Sequence, residues 1–61
     1  MNDLLKQRCK RFLLTFGTPT ARFCRMINLS SAAFYKARRG ELELSDATIS
    51  RIDDFLTGHG F

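Results

Sequence analysis

Few side chains in this sequence have the reach to do chemistry: Cys9, Cys24, His59, and the adjacent pair Asp53 and Asp54. Two thiols and one imidazole do not complete a four-ligand zinc site. Adjacent residues on a helix point about 100° apart, so Asp53 and Asp54 do not form a general acid–base pair. They read as a solvated face, or as partners for Arg51 or another subunit. Cys9 and Cys24 read as small buried apolar residues, and His59, between glycines, as part of a frayed tail. With no nucleophile–base set and no glycine-rich phosphate loop, an enzyme is not expected, and neither a cofactor nor a small-molecule substrate is. The remaining chemical potential is that of charge and hydrogen-bonding surface. It is densest in Asn28–Glu41, "NLSSAAFYKARRGE", where serines, alanines, two adjacent aromatics and three cations precede a glycine and a glutamate.

Charge is distributed unevenly. Residues 1–40 carry nine cations against Asp3 alone, a net of +8, whereas residues 41–61 carry Arg51 against five carboxylates, a net of −4. The basic end attracts polyanions, and the acidic end turns them away; such a field both steers and orients a nucleic acid.

The elements that must position these groups read as helices. At 61 residues and 44% hydrophobic content the chain is one domain with one core, too apolar for disorder. Leu5, Cys9, Phe12, Leu13 and Phe16 make an apolar stripe on a helix from Asp3 to Phe16, ended by Gly17. Thr18 is the expected cap and Pro19 the first residue of a second helix, which carries Phe23, Cys24 and Ile27 inward and Arg22 and Arg25 outward. Asn28 tolerates positive φ, Leu29 plugs the turn, and Ser30 caps a third helix through Arg39, closed by Gly40. Leu42 and Leu44 are expected to tuck under the core. Ser45 and Asp46 open a fourth helix with the stripe Ile49, Ile52, Phe55 and Leu56, ended by Gly58. The expected fold is all-α: a compact bundle of four, at most five, short helices spanning 1–61. No apolar run of about 18 residues could cross a membrane, and no leader is evident. Reduced thiols and a cytoplasmic location are the expectation.

On the third helix Ala33, Phe34 and Ala37 face the core. Ala32, Tyr35, Lys36 and Arg39 face out, with Ser31 at the edge. Small residues at the start of the helix permit close approach, and longer polar ones follow, which suits entry into a DNA major groove. Two short helices joined by a tight turn, the second exposed and basic, form a helix-turn-helix pattern over residues 19–40.

The segment Thr20–Gly40, "TARFCRMINLSSAAFYKARRG", resembles the Cro and phage-repressor class, the lambda-repressor-like helix-turn-helix domains. These place a small residue where Cys24 stands, glycine where Asn28 stands, an aliphatic at Leu29 and an apolar residue at Phe34; an ending like "RRGE" is frequent. Here Cys24 is bulkier than the usual alanine, and Thr20 replaces a common glutamine that braces a phosphate. The resemblance implies a sequence-specific transcription regulator whose partners are a double-stranded DNA operator and a second copy of the chain on a near-palindrome. By position it implies base contacts from Ser31, Ala32, Tyr35 and Lys36, with Lys36 donating to guanine and Ala32 touching a thymine methyl. It implies phosphate contacts from Thr20, Arg22, Ser30, Arg38 and Arg39. Leu44, Phe55 and Phe61, in or near the acidic half, are the candidate dimer contacts. The competing reading keeps the same fold and turns its surface to a protein, as an antitoxin-like or anti-repressor factor.

Overall fold

Each helix begins and ends where the chain can serve its own unpaired backbone groups. The computed structural model describes residues 1–61. It contains four helices and no strand: α1 (Asp3–Phe16), α2 (Thr20–Met26), α3 (Ser31–Arg38) and α4 (Asp46–Gly58). Side-chain caps open three of them. Asn2 Oδ1 accepts from the Leu5 amide at 2.8 Å, Ser30 Oγ from Ala33 at 3.1 Å, and Ser45 Oγ from Thr48 at 3.2 Å. α2 lacks such a cap. Pro19 stands one position earlier than the sequence suggested, as the extended residue before the helix, and its carbonyl accepts from both Arg22 and Phe23.

All four helices end in the same way. A left-handed residue (Gly17, Asn28, Gly40 or Gly60) is followed by one whose amide turns back to the last turn. Those return bonds run from Thr18 to Leu13, Leu29 to Cys24, Glu41 to Lys36 and Phe61 to Leu56, at 2.8–3.1 Å. Asn28 takes this role at φ 55, as the one residue other than glycine with positive φ. Asparagine tolerates that region better than most side chains. Gly58 is the last helical residue of α4, as the sequence suggested, and the left-handed turn residue is Gly60, two positions further on.

The core is a single cluster of Leu5, Cys9, Phe12, Phe23, Cys24, Ile27, Phe34, Ile52 and Leu56, with Met1, Leu13, Leu29, Leu44, Ile49, Phe55 and Phe61 packed around it. α1 lies against α4, and α2 against α3. The solvent-accessible surface is 4039 Å², close to the roughly 4000 Å² expected of a folded monomer of this mass. Phe12 is the hub: its ring centroid lies 4.9–5.8 Å from those of Phe16, Phe23, Phe55, His59 and Phe61.

Four sequence expectations change here. Phe16 shares the α1 stripe but lies at the helix end, where it is 56% exposed. Leu42 is 38% exposed and does not join the core, and only Leu44 packs against it. His59 is not frayed: its ring stacks 4.3 Å from Phe55, and Nδ1 is 2.8 Å from the Phe55 carbonyl. Asp53 pairs with Arg8 rather than Arg51. The Arg8 guanidinium also donates to Thr57 Oγ1 at 3.0 Å and to the Phe61 carbonyl at 2.7 Å, clasping α1 to α4 and the tail. No helix is long and apolar enough to cross a membrane.

Candidate functional site

α3 owes its two faces to its packing. Phe34 and Ala37 are wholly buried, Ala33 is half-buried, and all three lean on the core. The periodicity of 3.6 then carries Ala32, Tyr35, Lys36 and Arg39 outward, and each is exposed. Tyr35 is 43% exposed, with its ring edge-on to Phe34 at 6.1 Å. Its hydroxyl and the Lys36 ammonium have no partner within the chain. Ser31 is half-buried beside Cys24. Burial raises the Cys24 thiol above its ordinary pKa, and the Ser31 side chain pulls it partly back. The two serines at the start of α3 therefore differ. Ser30 Oγ accepts from Ala33 and keeps its own proton free to donate, whereas Ser31 turns part of its surface to the core.

The candidate phosphate-contacting residues lie on α2 and α3 and at the ends of α3. Arg22 is exposed on α2 without an acidic partner, and Thr20 is half-buried at the start of the same helix. Arg38 lays its guanidinium over the Phe34 ring, 5.7 Å from the centroid. Arg39 is paired with Glu41; both groups are more than half exposed, so solvent screens the pair and its net worth is small.

The structure sorts the cations into two groups. Arg8 is held by Asp53, Thr57 and Phe61, Lys6 by Asp3, and Arg39 by Glu41; Arg51 donates to two carbonyls of the turn after α2. Lys10, Arg11, Arg22, Arg25, Lys36 and Arg38 have no carboxylate within ion-pair distance. All six belong to α1–α3, so internal pairing leaves the basic bias of the first forty residues intact. Cys9, deep in the core, is pushed up to about 11 by burial, against the opposing pull of Arg38 and Arg8. A thiol so placed is inert at neutral pH. No group of three or more metal-ligating side chains comes together.

The three candidate dimer contacts each sit partly buried against the chain's own core: Leu44 before α4, Phe55 on α4, and Phe61 in the tail. Sequence reading missed Arg51, which reaches back to the turn between α2 and α3. Its one signal was its isolation, as the single cation among the acids of residues 41–61.

Fold and surface together define the class: a small four-helix, all-α domain whose first three helices carry six cations without a carboxylate partner. No family model, curated protein or solved structure matches the chain.

Proposed function

We propose that the protein is a sequence-specific double-stranded DNA-binding transcription regulator, a Cro-like repressor working in the prokaryotic or phage-infected cytoplasm. α2 and α3 act as a helix-turn-helix, with α3 lying in the major groove. The observation that carries this reading is the outer face of α3: Ala32, Tyr35 and Lys36 are exposed and their side chains make no hydrogen bond to the rest of the chain, while Phe34 and Ala37 on the opposite face are buried. Ala32 lets the helix approach the base edges closely. Lys36 donates to guanine O6 or N7, and the Tyr35 phenol and the free edge of Ser31 add hydrogen bonds. Thr20, Arg22, Ser30, Arg38 and Arg39 hold the phosphates and set register. Arg38 would leave the Phe34 ring, and Arg39 would exchange Glu41, for a phosphate. Two copies occupy a near-palindrome with half-sites about one helical turn apart. They meet through the acidic half, using what Leu44, Phe55 and Phe61 leave uncovered. Repression follows from occupying the promoter.

Selection of bound duplexes from a random pool tests this. A palindromic consensus is the expected result, with a log–log salt slope of roughly four to six per subunit. Lys36→Ala should relax preference at one base pair by about 1–3 kcal/mol, and Arg38→Ala should weaken all sequences alike. A pool with no enrichment, or a flat salt response, rejects the reading in favour of a protein partner on the same surface.

A further inference from the structure

The turn that aims α3 is held from outside by a residue of α4. Arg51 Nε donates to the Ile27 carbonyl at 2.7 Å, and Nη2 to the Asn28 carbonyl at 3.1 Å. Both carbonyls stand at the end of α2, where a helix leaves its last acceptors unpaired and where a positive charge is favoured. Between them and α3 lie only Leu29 and the cap Ser30. From inside, the turn is closed by the Leu29 amide on Cys24 at 2.9 Å and by Ile27 in the core. Asn28 is held at φ 55, a conformation that an asparagine can readily leave.

We infer that Arg51 is the positioning residue for the α3 face: its fork on two successive carbonyls fixes the turn, and so the direction in which Ala32, Tyr35 and Lys36 project. This rests on the DNA reading above. The chemistry is specific to arginine. A planar guanidinium offers two donors in fixed relation, whereas a lysine ammonium is a single point and a glutamine carries no charge for the helix end. Arg51 has no carboxylate in ion-pair range, so the carbonyls are its only polar partners. Its position on α4 also joins the acidic half of the chain to the reading helix.

The test compares wild type with Arg51→Gln and Arg51→Lys, well below the melting midpoint of each. It uses the duplex that wild type selects and a scrambled duplex of the same length. Leu29 amide hydrogen exchange is followed without DNA. Arg51→Gln should lose about tenfold in affinity for the selected duplex, with scrambled-duplex affinity and the salt slope unchanged. Leu29 exchange should accelerate by about the same factor, and Arg51→Lys should fall between the two proteins. Unchanged Leu29 exchange in Arg51→Gln overturns the proposal. So does an equal loss on both duplexes with the salt slope lowered by about one, which would make Arg51 a phosphate contact. If wild type selects no duplex, the functional reading fails, and the Leu29 exchange still decides whether Arg51 holds the turn.

Discussion

Phe12→Leu isolates the aromatic hub with little change in hydrophobicity. Phe12 is 3% exposed and contacts five aromatic rings, drawn from α1, α2, α4 and the tail. An aromatic pair contributes about 0.5–1.5 kcal/mol beyond burial. Neighbours relax and the terms do not add, so losing the equivalent of two pairs costs about 2 kcal/mol. A domain of this length has a total stability of roughly 3–9 kcal/mol. At about 2.1 cal/mol/K per residue, its unfolding entropy turns that loss into a Tm lower by about 15 °C. The control is Leu14→Ala on the same helix, where Leu14 is 72% exposed. That change should stay within about 0.5 kcal/mol, or less than about 4 °C. Thermal melts by far-ultraviolet circular dichroism measure both. Proton NMR adds a second reading, since the His59 ring lies edge-on to Phe12 at 5.4 Å and should lose that ring-current shift. Equal melting shifts for Phe12→Leu and Leu14→Ala would refute the hub.

Two further tests address the thiols and the caps. Cys9 has its pKa raised from 9.0 to about 11 by burial, so the folded state holds its proton more tightly than the unfolded chain does. That contribution is fully present below about pH 9 and is lost as pH rises towards 11, by about 2–3 kcal/mol; urea midpoints should fall over this window, and less steeply in Cys9→Ala. Ser45→Ala removes the cap on Thr48 and should cost about 1 kcal/mol. The matching loss is about 8 °C; Ser45→Asp should recover most of it, and failure to do so would assign the loss to something other than the cap.

Local features of the fold were legible in the sequence, because their physics acts within a few residues. The α1 stripe, the left-handed stop at Gly17 and the caps Ser30 and Ser45 each depend on a spacing of three or four positions. The division of α3 into inner and outer faces was legible for the same reason. What escaped depended on distant parts of the chain. Arg8 looked like one more cation of a basic half, yet its partners are Asp53, Thr57 and Phe61. Arg51 and the Ile27 carbonyl are brought together only by the packing of α4. Phe16 fits the periodicity of the core stripe and is still 56% exposed, since at the helix end only Phe12 and the tail rings of His59 and Phe61 meet it, and they cover one side. His59 looked loose between two glycines, but its aromatic partners arrive with α1 and the long fourth helix.

The Arg8 clasp has a consequence in time. It joins residues 53 apart in sequence, and closing a chain segment of that length costs about 3.5 kcal/mol of entropy. The contacts between α2 and α3 span far fewer residues and can form first. Loss of the clasp, as in Arg8→Met, should then shorten the lifetime of the folded state while refolding keeps nearly its original rate. The two ends of the chain govern how long the domain persists, and its middle governs what the domain can touch.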